Sequence, residues 1–220
     1  MSQQRTEPTR RERAKEDKSR RIVAAARALF AEHGVSRVTT QQIADRADVA
    51  VGTLFRYAAS KAELLIMVQN EEFAAAIEEG LTVANVVSSA ASPTEVVLAV
   101  LTPVVLCIRE HPENGRTYLH ELVFGDPTEA NRRRGLVLAE QLEGGIARAL
   151  ERSAHIEHGE ATVLAGVVTA IVHIGVTATI HLDRGADELL ADIRTQIDTV
   201  IAPRGSSSDL VSATQREGLS

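Results

Sequence analysis

The chain has 220 residues, 44% of them hydrophobic and 25% charged, with one cysteine and a formal net charge of −6. That is enough apolar material for one large or two small domains. Cys107 alone excludes an intrachain disulfide and suits a reducing cytoplasm. The polar start has no apolar stretch of the secretory kind.

The charge is unevenly spread. Residues 1–64 carry thirteen Lys+Arg against eight Asp+Glu, a net +5, which leaves −11 on residues 65–220. A basic end can neutralise phosphates while an acidic remainder stays off them.

In chain order, residues 1–17 are polar and rich in Arg, Glu and Lys, and are expected to form a disordered arm. Its Arg10, Arg11, Arg13 and Lys15, with Lys18, Arg20 and Arg21 just beyond, are candidates for DNA contact; arms of this kind enter minor grooves. A solvated tail is the plainer alternative. From about Lys18 to Glu32, Ile22, Ala25, Ala26, Leu29 and Phe30 recur at the spacing of one buried helical stripe. Gly34 ends that helix.

Residues 39–61 carry the densest signal. Thr39 and Thr40 supply hydroxyls where a short helix begins. Ile43, Ala44 and Ala47 point inward, and Asp48 sits at a turn that often needs positive φ. Val49 plugs the angle before a second helix from Ala50 to Tyr57. Leu54 faces inward from that helix, leaving Val51, Gly52, Thr53, Phe55 and Arg56 outside. Small and polar residues on an outward face suit entry into a major groove. Gly52 is a poor helix residue by propensity, and is read as room for close approach to DNA. A plain helical corner is the competing reading, but it requires neither the outward Arg nor the following Lys61.

The remainder reads as further helices. Ser60 and Glu63 form a potential capping box for a helix through Leu64, Leu65, Val68, Phe73 and Ile77, ending near Gly80 or shortly after. A loop spans Ser88 to Pro93. Thr94 opens a helix with Pro103 inside it, expected to kink it, and His111-Pro112 closes it. Glu113 to Phe124 and Thr128 to about Arg152 are two more. Residues 160–182 are apolar almost all round. A membrane span is long enough, but His173, His181, several Thr and the lack of flanking Trp/Tyr or basic clusters oppose it. β-Branched content suggests strands, yet no turn divides the stretch. A helix covered on two sides, by its own domain and a second subunit, fits best. Asp187 to about Ile201 is amphipathic, and a disordered tail follows from residue 203.

The motif resembles the TetR family of bacterial one-component transcriptional regulators. The resemblance covers about Ser19 to Val68. It rests on Leu29-Phe30-Ala31-Glu32-His33-Gly34, Thr39-Thr40 with Ile43-Ala44, Gly52-Thr53-Leu54-Phe55-Arg56-Tyr57, Ser60-Lys61 and Leu64-Leu65. It implies that Thr40, Tyr57 and Lys61 bind phosphate, and that Val51, Gly52, Thr53 and Arg56 face the groove. Gln41 would reach adenine and Arg56 guanine. Four positions depart from the pattern: Asp48 replaces the turn glycine, Ala50 the capping serine, Phe55 a phosphate-binding tyrosine and Ala58 a bulky aromatic.

The expected fold is all-α: a head at 18–64 with a three-helix helix-turn-helix, and a ligand-binding and dimerisation body at 65–202. The arm at 1–17 and the tail at 203–220 flank them. The expected function is a repressor that leaves a palindromic operator when a small apolar or amphipathic effector binds the body. Arg109, Tyr118, His120 and His173 are the candidates for orienting that effector in an apolar cavity. The partners are operator DNA, the effector and a second copy of the chain, with no membrane. A helical enzyme or carrier that keeps the head as mere structure is the alternative. The chain offers it no nucleophile–base pair and no complete metal set, so no catalytic residue, metal or cofactor is expected. His155-x-x-His158 lacks enough ligands and reads as a solvated loop, and Cys107 as a small buried hydrophobe.

Overall fold

The computed structural model describes residues 9–87, 90–154 and 156–201. Among them the chain is helical throughout: α1 (Arg10–His33), α2 (Thr40–Arg46), α3 (Val51–Leu54), α4 (Lys61–Val86), α5 (Pro93–Glu110), α6 (Pro112–Phe124), α7 (Ala130–Ala154), α8 (His158–Thr177) and α9 (Ala186–Ile201), with a 3₁₀ turn at Thr179–His181 before α9. The tail expected from residue 203 lies outside the described residues.

The first correction is at the arm. Residues 10–17 are helical, so α1 begins eight residues before the expected start at Lys18. The cause is a capping box: the Thr9 hydroxyl accepts the Glu12 N–H, and the Glu12 carboxylate accepts the Thr9 N–H at 2.6 Å. Two orphan donors are thereby satisfied where the chain would otherwise fray. The Thr-x-x-Glu spacing was present in the sequence as its signal.

The buried stripe of α1 is Ile22, Val23, Ala25, Ala26, Leu29 and Phe30. It packs with α2, α3 and the first turns of α4 to make the head. α4 then runs on into the body, where it packs on α5, α6 and α7, while α8 and α9 close the far side. One continuous core passes from Ile22 and Leu54 in the head to Val168 and Ile193 in the body.

Two glycine and capping signals had other meanings. Gly80 does not end α4, which continues to Val86. A Cβ there would lie 2.2 Å from the Val100 carbonyl oxygen, so Gly80 allows α4 and α5 to touch backbone to backbone. At the start of α4 the Ser60 hydroxyl accepts the Glu63 N–H, but the Glu63 carboxylate turns away to accept the Asn131 N–H at 2.8 Å. Half of the expected capping box is made, and the other half ties α4 to α7. Helix α5 continues through Pro103.

α8 is apolar on two faces. Ala161, Ala165, Val168, Val172 and Val176 are buried. Val163, Val167 and Ile174 are exposed on the other side. It is long and apolar enough to cross a membrane by length and composition, but its inner face packs on α7 and α9.

Replacing Gly80 with Ala is expected to cost about 1–3 kcal/mol through forced separation of α4 and α5. Chemical denaturation of the two forms measures it. An unchanged midpoint would mean that the contact relaxes freely.

Candidate nucleic-acid interface and body cavity

The head presents two short helices from a rigid corner. α2 is capped by Thr39, whose hydroxyl accepts the Gln42 N–H while the Gln42 side chain accepts the Thr39 N–H. Capping therefore occupies Thr39 and leaves Thr40, half-buried at the first helical position, with its hydroxyl uncommitted. Gln41 is exposed and donates to Asp45 at 2.7 Å.

The turn residue is Asp48, with φ 52°, the one positive-φ residue other than glycine among the described residues. Left-handed backbone costs an Asp less than most residues because its short side chain bonds locally. Arg21 supports the turn: its Nη1 donates to the Asp48 carbonyl at 3.3 Å and to its carboxylate at 3.2 Å. Arg21, expected as a DNA contact, is thus engaged within the head.

α3 starts at Ala50 without a side-chain cap, as the missing serine implies. Leu54 is fully buried beneath it. Gly52 is exposed, and a Cβ on it would meet no atom within 4 Å. Nothing inside the protein needs that glycine, although it costs about 1 kcal/mol of helix propensity. Arg56 is exposed and donates to the Thr53 hydroxyl at 3.1 Å. Val51 is half-buried and packs against the core, so it offers less of its side chain than expected.

Helical extension of α1 brings its basic residues alongside α3. Arg11, Lys15 and Lys18 line a cleft of about 330 Å³ together with Arg56 and Tyr57. The Tyr57 hydroxyl donates to the Lys15 carbonyl at 3.2 Å, fixing the extension against the segment that follows α3. Lys61 donates to the Val38 carbonyl at 3.0 Å and the Ser36 carbonyl at 3.4 Å. An ammonium has three donors, so one is left for an outside acceptor.

The head is tied to the body at two places. Asn114 on α6 is 2% exposed. Its Oδ1 accepts the Val35 N–H at 2.8 Å and its Nδ2 donates to the Phe30 carbonyl at 2.9 Å. Beside it, Glu113 accepts the Ser36 N–H at 2.8 Å. Two body residues thus hold the α1–α2 turn. The second tie is a pair of carboxyl groups, Glu63 on α4 and Glu129 before α7. Glu129 also accepts from Ser60. Hydrogen bonding to Glu63, then burial and the Glu63 charge, push Glu129 up to about 7. The Glu129 carboxyl therefore holds its proton toward neutral pH.

The body holds two adjoining cavities. An inner one of about 170 Å³ is lined by apolar side chains including Phe73, Val105, Leu122, Leu142 and Val172. An outer, more open one of about 650 Å³ is lined by Glu113, Arg116, Thr117, His120, Phe124 and Thr177 among others. His173 lines both and forms the waist between them. Burial lowers its proton affinity, favouring the neutral imidazole.

Of the four expected effector residues, His120 and His173 line the cavities and Arg109 and Tyr118 do not. Tyr118 is fully buried behind Phe73 in an edge-to-face contact, and its hydroxyl donates to Asn70 Oδ1 at 2.9 Å. Arg109 donates through Nη2 to the carbonyls of His181, Leu182 and Arg184, holding the chain between α8 and α9. Sequence reasoning missed Arg116, whose only signal was a cation one turn from His120.

Burial pushes the Cys107 thiol up to about 12, leaving it an unreactive apolar group. Among the described residues no three His, Cys, Asp or Glu side chains gather as a metal site. His155 lies outside those residues, and His158 pairs with Glu151 at 2.6 Å.

This geometry defines a helix-turn-helix protein with a cavity-bearing helical body. Residues 22–68 match the family model of bacterial regulatory proteins, tetR family. Over 60 residues the chain is 43% identical to the HTH-type transcriptional repressor KstR of Mycobacterium tuberculosis, a match covering 27% of each chain. The match thus spans about a quarter of the length of the curated relatives. Among solved structures, a TetR transcriptional regulator from a Rhodococcus species is 20% identical with a TM-score of 0.61, covering 86% of this chain and 97% of that one. FadR of Thermus thermophilus, a TetR-family repressor solved in complex with lauroyl-CoA, is 21% identical with a TM-score of 0.59, covering the same shares. Residues 22–68 thus carry the sequence pattern of the tetR family, and the chain shares its fold with TetR regulators of solved structure.

Glu129, beside Glu63, makes stability depend on pH. Because the native value of about 7 lies above the ordinary 4.5, the folded state holds the proton more tightly than the unfolded chain. The contribution is full below pH 4.5 and is lost as pH climbs through about 7. Melting temperature should therefore fall between pH 5 and pH 8 more steeply in the native protein than in Glu129→Gln. Parallel curves would contradict the raised value at Glu129.

Proposed function

We propose that the protein is a cytoplasmic, homodimeric transcriptional repressor. It binds a near-palindromic operator and is released when a small apolar or amphipathic molecule enters the body cavity. The observation that carries this reading is the exposed α3 face. Gly52, needed by nothing inside the protein, and Arg56 stand there beside the basic cleft of α1.

In this reading α3 enters a major groove. Arg56 and Gln41 read bases, Val51, Gly52 and Thr53 line the approach, and Thr40, Tyr57 and Lys61 hold phosphates. Two heads per dimer would engage grooves about 34 Å apart. The exposed face of α8, with Val163, Val167 and Ile174, supports pairing with a second copy, because burying it removes an apolar stripe from water. α6 supplies the path of control. It walls both cavities, and its first turn holds the head through Glu113 and Asn114. An effector that prefers a shifted α6 would change the spacing of the heads and shift the population off DNA. The lauroyl-CoA bound by the similar FadR supports an amphipathic effector.

A gel-shift with the DNA upstream of its own gene at moderate salt tests the reading, and binding no better than to random DNA would sink it. Arg56→Ala should relax sequence preference, a bidentate base contact being worth about 1–3 kcal/mol of discrimination. Lys61→Ala should weaken all sequences alike and reduce the salt slope by about one. Equal loss from both on every sequence contradicts that division.

Val163→Glu should convert the dimer to monomer in sedimentation analysis and weaken operator binding with it. A dimer that survives the substitution would place the interface elsewhere.

A further inference from the structure

The outer cavity carries an electrostatic feature that a purely apolar effector does not explain. Arg116 lines it and spends Nε on the Thr177 carbonyl at 2.8 Å. Behind the same wall Arg109, 9% exposed, bonds only carbonyls, and its Nε and Nη1 are buried without a hydrogen-bond partner. Among the described residues neither guanidinium lies within salt-bridge distance of a carboxylate. The nearby acids are already engaged: Glu188 and Asp192 pair with Arg184 at 2.8 and 2.6 Å, and Glu113, which also lines the outer cavity, accepts the Ser36 N–H of the head turn. Two cations near one another with no carboxylate in salt-bridge contact are costly in a partly desolvated place. Consistently, burial and then the Arg116 charge lower the proton affinity of Arg109.

The inner cavity has the opposite character. At about 170 Å³ and with an almost wholly apolar lining, it resembles cavities of about 150 Å³ that stay dry and admit small hydrocarbons. His173 joins it to the cationic mouth.

We propose that the effector is an amphipathic anion. Its apolar chain passes the His173 waist into the inner cavity, and its carboxylate or phosphate head rests at the outer cavity against Arg116. Arg109 acts there as a positioning residue: it braces the wall and adds positive potential without touching the ligand. This deepens the effector part of the proposed function and rests on it for regulatory meaning, but not for binding.

The test is calorimetric titration of the full chain with four probes of equal tail: decanoate, decyl phosphate, 1-decanol and decylamine. At least one anion should bind tenfold or more tighter than the alcohol, and the amine weakest. The two anions separate a carboxylate site from a phosphate site. Arg116→Gln should bring the preferred anion to the level of the alcohol while leaving the alcohol unchanged, and Arg116→Lys should restore part of the preference. Equal affinity for alcohol and anions, no binding of any probe, or equal weakening of all probes by Arg116→Gln overturns the proposal. Tight anion binding that leaves operator DNA bound would instead overturn the repressor-release reading and leave this one standing.

Discussion

Asn114 is the joint on which the arrangement depends. A carboxamide buried between head and body must find partners for both its ends, because an unpaired buried polar group costs about 1–3 kcal/mol. It finds them in the Val35 N–H and the Phe30 carbonyl, groups left over where α1 ends and the chain turns toward α2. The head's orientation is thus set by hydrogen bonds that tolerate little displacement, rather than by apolar contact alone, which slides more easily. Since Asn114 sits in the first turn of α6, the helix that walls the cavities also fixes the angle at which α2 and α3 are presented.

The charge distribution follows the same division. The basic residues of α1 become a surface only because the helix is continuous from Arg10, placing Arg11, Lys15 and Lys18 on the side where Arg56 emerges. Other cations of the head and the body do internal work. Arg27 joins α1 to Glu71 and Glu72 on α4, Arg46 joins α2 to Glu32, and Arg132 holds the carbonyls of Glu121 and Val123 at the end of α6. Arg109 and Arg116, like Arg132, bond carbonyls alone, and Arg116 does so at the mouth of the outer cavity.

Much of the local structure was legible because short-range chemistry decides it. The stripe Ile22 to Phe30, the stop at Gly34 and the positive φ at Asp48 depend on residues at most a few positions apart, and each stands as the spacing required. The start of α1 was equally local, since Thr9 and Glu12 make a capping box, yet the density of charge around it read as disorder. Gly80 was misread for a different reason. A glycine at the end of an apolar run looks like a stop until another helix is known to lie against it.

The side chains of the body show where that legibility ends. Arg109, Tyr118, His120 and His173 look alike as polar residues on apolar helices, and no spacing rule separates them. Tyr118 turns to Asn70 and Arg109 to the carbonyls beyond α8, whereas His120 and His173 meet across a cavity with Arg116. By itself the sequence determined the helices, the helix-turn-helix and the separation of basic head from acidic body, because periodicity, capping and composition act along the chain. Only the tertiary structure decided which polar groups face a cavity and which are consumed as struts. Those partners lie dozens of residues away and are chosen by packing, which no local pattern records.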